Sequence, residues 1–297
     1  MKKILRILSS IICAIYLRIR LEFNKGAEGE EFHKLIQNLS LLFLIKLQLR
    51  YFCEYFTNPI VLFRLAEFQF VHDHLKFNNT SCLCVSSPRM FSAYLLRTTN
   101  AKIMMYNPDT RDLADTRNIF QTFKLKNFQT TNREPTQLNE YDTIYSISVI
   151  EHMDPTAKRK FLEYAFCALK KGGSLAITFP VASQNREEYR DTDPYDIGAL
   201  KDDYTGKFFY QRVYDDTAIS ETIIDVWDEL GGVLQHKLII GLNSAVNYSQ
   251  LLVRRKKFGH LARAMEIEYS RKCFTTFKRT DDLSDRGICG LILSKPN

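Results

Sequence analysis

Tyr141 to Val181 reads YDTIYSISVIEHMDPTAKRKFLEYAFCALKKGGSLAITFPV. Thr143 to Val149 mixes β-branched and aromatic residues with almost no charge, as a strand covered on both faces requires. Asp154 followed by Pro155 is an N-cap with proline at the first helical position. Phe161, Leu162, Ala165, Phe166 and Leu169 then fall on one helical face. Lys170 and Lys171 complement the negative helix end, and Gly172 suits a left-handed cap. Ser174 to Phe179 is a second strand, closed by Pro180. Strand, helix and strand in this order imply a parallel, right-handed crossover, half of an open α/β sheet. The Ser148-Val149-Ile150-Glu151-His152 turn falls where such sheets bind ligands.

Upstream, a strand over Cys82–Val85 leads into Ser86-Ser87-Pro88-Arg89 and a helix from Met90 to about Arg97. Ala101–Tyr106 reads as a second strand ending at Asn107-Pro108-Asp109-Thr110, and a weaker third strand is expected between Phe123 and Thr130. Downstream, residues 182–212 read as a polar loop. Asp215 or Asp216 then caps a helix carrying Ile219, Ile223, Trp227 and Leu230, which Gly231-Gly232 ends. Val233–Ile240 and Ile288–Leu293 are the last expected strands, with a helical region around 260–272 between them. Residues 1–77 read as helices with a break at Asn58-Pro59. No Gly/Ser linker follows them, so they are expected to be a helical extension to a 78–297 domain.

A chain of 297 residues, 45% hydrophobic and 25% charged, is long enough to bury a core. The net charge of +7 leaves a solvated basic surface or an anionic partner open. The seven cysteines show no metal-ligand spacing. Cys82 and Cys84 are two apart in a strand and share a face, so zinc is not expected and a reducing, cytoplasmic compartment is. The apolar stretch Ile7–Leu17 is too short to span a bilayer, which takes about 20 residues. Ile4, Leu8, Ile11, Ile15 and Ile19 line one helical face, which fits an interfacial helix on the inner face of an anionic membrane. A helix packed on its own domain fits the pattern equally.

The order and spacing of these segments resemble the class I S-adenosylmethionine-dependent methyltransferases over residues 80–297. Tyr141-Asp142 with Ser148–His152 looks like that family's fourth-strand motif, and Leu169–Leu175 looks like the turn before its fifth strand. The resemblance implies a doubly wound, mostly parallel, seven-stranded Rossmann-like sheet behind the N-terminal helical extension. It also implies S-adenosylmethionine as cofactor. Two departures stand out. Glycine usually follows the first strand, where a Cβ crowds the ligand or forbids the dihedrals; this chain has Val85-Ser86-Ser87-Pro88-Arg89. Asn107 stands at the end of the second strand in place of the usual acid.

On that resemblance Ser86, Ser87 and Arg89 are expected at the methionine end of the cofactor, Asn107 and Asp109 at the ribose, the stretch from Thr130 to Asn132 at the adenine, and Ser148 as a further cofactor contact. Each is also an ordinary turn or cap residue. Glu151 and His152 are the expected catalytic pair, His152 having the pKa range to take a proton from an acceptor. Glu187, Tyr189, Arg190, Asp193, Tyr195 and Tyr210 suit a polar acceptor such as a small molecule, saccharide or lipid-linked sugar. The run Arg254–Lys257 lacks interleaved aromatics, so nucleic acid is not an expected partner. The alternative to an enzyme is a catalytically degenerate protein of the same fold that acts as a scaffold, because fold does not fix function.

Overall fold

The computed structural model describes residues 2–23, 29–57, 60–86, 88–193, 201–202, 205–242, 248–259, 262, 266 and 273–297. Four helices come first: α1 (Lys2–Phe23), α2 (Glu30–Ile45), α3 (Leu49–Thr57) and α4 (Leu62–His74). An alternating run follows: β1 (Ser81–Val85), α5 (Arg89–Thr98), β2 (Lys102–Tyr106), α6 (Thr110–Thr122), β3 (Phe128–Thr131), β4 (Tyr141–Ile147), α7 (Pro155–Ala168) and β5 (Leu169–Ala182). A 3-10 turn at Ile150–His152 joins β4 to α7. The second half holds β6 (Arg186–Arg190), β7 (Phe208–Val213), α8 (Asp216–Ile219), α9 (Asp225–Glu229), β8 (Val233–Leu242), α10 (Tyr248–Phe258), β9 (Phe274–Phe277) and β10 (Arg286–Ser294).

The main sheet has eight strands in the order β3-β2-β1-β4-β5-β10-β8-β9. The five from β3 to β5 are parallel, and β10 runs antiparallel between β5 and β8. The chain reverses its direction of growth between β1 and β4, which is the switch point of an open α/β sheet. Each strand alternates between two apolar layers. Cys82, Cys84, Tyr145 and Ile292 face a cluster with Phe32, Phe43, Phe68 and Phe91 from α2, α4 and α5. Leu83, Val85, Ile144 and Leu291 face α7 and the 216–229 helices through Phe161, Leu162, Ile223 and Trp227. Both faces are covered, so the strands read as continuous apolar runs.

Several expectations need correction. The sheet has eight strands, because β9 pairs along the outer edge of β8. α7 ends at Ala168, so Lys170 and Lys171 belong to β5, whose pairing with β4 is irregular between Tyr141 and Thr143. Gly172 does adopt a left-handed φ of 72°, but inside that strand and not as a helix cap. Pro180 does not close β5. Pairing with β4 stops at Ile147–Thr178, so the missing N–H removes no bond to that neighbour. Residues 182–212 are not simply a loop, since β6 and β7 form an antiparallel ribbon there. Arg254–Lys257 lies inside α10. Most of the 260–272 region and the Asn58-Pro59 break lie outside the described residues.

Candidate functional site at the carboxyl edge of the sheet

The carboxyl ends of β1, β2 and β4 hold the residues expected to contact a cofactor. Ser86 takes a φ of 47° directly after β1, and Ser148 a φ of 48° directly after β4. Left-handed backbone at non-glycine residues costs roughly 1–3 kcal/mol and persists only where the surroundings enforce it. Here they do. The Ser86 N–H donates to the Tyr106 carbonyl at 2.8 Å, and the Ser148 N–H donates to the Thr178 carbonyl at 2.9 Å. Two adjacent strands therefore end in the same strained turn, on either side of the switch point.

Around β2 the polar groups converge on Asp112, which sequence reading did not single out. Arg89 pairs with its carboxylate, and Asn107 Nδ2 donates to Asp112 Oδ2 at 2.9 Å. Asn107 Oδ1 accepts from the Asp109 N–H at 3.0 Å, and Asp109 caps α6 by accepting from the Arg111 N–H at 2.8 Å. The structure thus brings Arg89, Asn107 and Asp109 together. Thr130 lies apart on β3, where it accepts from Arg117 Nη1 at 3.1 Å. Ser87 lies outside the described residues.

Ser148 faces a different space from the one expected. It lines a cavity of about 760 Å³ above β4, β5 and β10, along with Glu151, His152, Arg64, Glu67, Arg190 and Tyr210. That volume is in the range of small-molecule sites. Glu67 reaches in from α4 at 1% exposure. Its carboxylate accepts from the Ser148 hydroxyl, from Thr178 Oγ1 at 2.9 Å and from Arg64 Nη1 at 2.7 Å. The sequence carried a signal for it: a lone acid within the apolar run Leu62–Phe70, which is rarely buried unless paired.

Glu151 and His152 project from the 3-10 turn after β4. Glu151 is 2% exposed, and its Oε2 has no hydrogen-bond partner among the described residues. Burial pushes its pKa up to about 8, with the Arg64 guanidinium pulling the other way. His152 Nδ1 lies 2.5 Å from the Tyr210 carbonyl. A carbonyl only accepts, so Nδ1 carries the proton and Nε2 holds the lone pair. Nε2 sits 3.6 Å from Glu151 Oε1. Burial lowers the His152 pKa, and the charges of Arg64 and Arg190 add to that effect against the Tyr210 hydrogen bond. Near neutral pH the pair is a protonated acid beside a neutral imidazole.

No protein-family profile matches the chain, and no curated protein sequence matches it. Solved structures do. The structure of coclaurine N-methyltransferase bound to N-methylheliamine and S-adenosylhomocysteine is 11% identical with a TM-score of 0.52, over 96% of this chain and 87% of that one. The cyclase SpnF is 13% identical with a TM-score of 0.49, over 78% and 82%. The Burkholderia thailandensis 1,6-didemethyltoxoflavin N1-methyltransferase is 12% identical with a TM-score of 0.47, over 78% and 77%. The protein has the class I methyltransferase fold. At these identities the likeness speaks for the fold alone.

Proposed function

We propose that the chain transfers a methyl group from S-adenosylmethionine to a polar acceptor held in the 760 Å³ cavity. The carrying observation is the pair of left-handed serines, Ser86 and Ser148, flanking the switch point. A serine in that conformation makes the tight turn for which glycine is the usual choice, which supports a cofactor site at a glycine-free turn. Asp112, buttressed by Arg89 and Asn107, supports ribose hydroxyls in place of the missing acid at Asn107. When bound, the cofactor supplies an electrophilic methyl group; the chain positions the acceptor and handles its proton. His152 Nε2 is the nitrogen able to take that proton, and buried Glu151 lies beside it.

A scaffold that binds no cofactor is the second reading. It is favoured by Arg89, Asn107, Asp109 and Asp112 spending their polar atoms on one another. Calorimetric titration with S-adenosylhomocysteine separates the two. Binding in the micromolar range is expected, lost on Ser86→Val because a β-branched side chain does not tolerate positive φ. Absence of binding at millimolar ligand decides for the scaffold.

For the acceptor side, the reading includes peripheral contact with a membrane through α1. Among the described residues no helix is long and apolar enough to cross one. The exposed stripe differs from the expected face. Leu8, Ile12, Ile15, Tyr16 and Ile19 are 46–67% exposed, whereas Ile11 packs against the core beside Leu17. Lys2, Lys3, Arg6, Arg18 and Arg20 share that helix with a single acid, Glu22. Flotation with vesicles containing phosphatidylglycerol is expected to recover the full chain, and Ile12→Asp with Tyr16→Asp to reduce recovery about tenfold or more. Equal recovery of the two proteins removes the membrane from the reading.

A further inference from the structure

The cavity above β4, β5 and β10 contains five arginines and no lysine among its lining residues. They come from four separate elements: Arg64 from α4, Arg186 and Arg190 from β6, Arg255 from α10, and Arg286 from β10. Such convergence is not a local sequence accident. Arginine presents a planar fork of donors that matches a carboxylate or phosphate, and it holds its charge when partly desolvated.

Four of the five are held in place by carboxylates. Glu188 bridges Arg286 and Arg186, and its second oxygen accepts from Gln211 Nε2 at 2.7 Å. Glu266 takes Arg255 through two hydrogen bonds and also accepts from the Leu62 N–H at the start of α4, at 2.9 Å. Glu67 holds Arg64. Arg190 is different. Its guanidinium lies 3.4 Å from the centre of the Tyr210 ring, and no carboxylate pairs with it among the described residues. The Tyr210 ring in turn lies 5.3 Å from the His152 ring, whose Nδ1 bonds the Tyr210 carbonyl. The contacts Arg190–Tyr210–His152 therefore set a cation that no described carboxylate pairs with next to the proposed proton acceptor. The other arginines are oriented by their carboxylates, Arg64 and Arg255 one to one and Arg186 and Arg286 sharing the single Glu188.

We propose that this cavity recognises an acceptor through an anionic group on it, a carboxylate or a phosphate monoester, gripped by Arg190, with the oriented forks of Arg64 and Arg286 lining the same cavity. The proposal rests on the methyl-transfer reading for the word acceptor, but the anion site stands on its own geometry. Stacking on Tyr210 fixes the guanidinium plane, so its outward edge stays free to take two oxygens at little cost in side-chain entropy. An anion held there leaves the remainder of the molecule to lie toward His152, Ser148 and Glu67.

The test is calorimetric titration of the full chain with sodium phosphate and, separately, sodium succinate, each against sodium chloride at matched ionic strength. At least one of the two is expected to bind with a millimolar or tighter dissociation constant. Arg190→Gln weakens that binding at least tenfold, Arg190→Lys partly restores it, and Arg159→Gln, on the outer surface of α7, leaves it unchanged. Which anion binds tells phosphate from carboxylate. Equal binding by Arg190→Gln and Arg159→Gln, or no heat beyond that of chloride in the wild-type protein, overturns the proposal. S-adenosylhomocysteine is titrated into the same samples. Cofactor binding without anion binding sinks the anion site alone; anion binding that depends on Arg190 without cofactor binding sinks methyl transfer alone.

Discussion

Glu151→Gln is expected to stabilise the folded chain at pH 8 by on the order of 4 kcal/mol and to leave it nearly unchanged at pH 4. The reason is linkage. An unfolded glutamate titrates near 4.5, and the buried Glu151 carboxyl near 8. Between those values the folded state holds one proton more than the unfolded state, so stability falls as pH rises through that window. Three histidines act in the opposite sense. Buried His33 is lowered to about 3, so the unfolded chain holds the extra proton between about 3 and 6.5 and stability rises with pH there. His152 and His236, also lowered, contribute in the same direction. In the wild-type protein the histidine gain opposes the Glu151 loss from pH 4.5 to 6.5, and the Glu151 loss alone remains from 6.5 to 8. The glutamine variant climbs to 6.5 and then levels. Urea midpoints measured across this range check the claim, and parallel profiles for the two proteins would refute it.

Gly290→Val is expected to cost at least about 3 kcal/mol and to remove anion binding with it. A Cβ on Gly290 would lie 2.4 Å from Cδ1 and Cε1 of Phe70. Phe70 has little room to retreat, being 3% exposed with the His74 ring 4.7 Å away and the His236 ring 6.0 Å away. The glycine in β10 lets α4 lie directly on the sheet, and α4 carries Arg64 and Glu67 into the cavity. Pushing the helix outward withdraws both. A double-mutant cycle with Phe70→Ala should return a coupling of about 1 kcal/mol or more, since the clash disappears with the ring. Strict additivity would show that α4 is not held by this contact.

The fold was legible wherever burial on two faces imposed a pattern. Cys82–Val85, Thr143–Ile147 and Ser174–Phe179 are apolar on both sides because helices cover both sides, and that pattern appears in the bare sequence. The ribbon of β6 and β7 was not legible. Its strands, REEYR and FFYQRV, are exposed or half-buried and are held mainly by pairing to each other. β9 was missed for a similar reason: four residues with no continuous apolar run, placed by pairing with β8. In the site, Glu151 and His152 were visible because they follow a strand immediately. Arg286 was not, and Glu67 showed only as a lone acid among apolar residues, because their partners Ser148, Thr178 and Glu188 lie 81 to 111 residues away in the chain. Asp112 was overlooked in favour of Asp109. One caps the helix and the other receives Arg89 and Asn107, a division of labour that a three-residue spacing does not reveal.

The position of β10 bears on how the polypeptide assembles. Residues 286–294 fill a slot between β5 and β8, pairing with both along their length. Until that segment leaves the ribosome, β8 and β9 have no hydrogen-bonded connection to the parallel half of the sheet, and Phe70 on α4 lacks the surface it rests on. Closure over so long a stretch of chain is intrinsically slow. Until β10 docks, the facing edges of β5 and β8 stay unpaired, and such edges are ready templates for pairing with other chains.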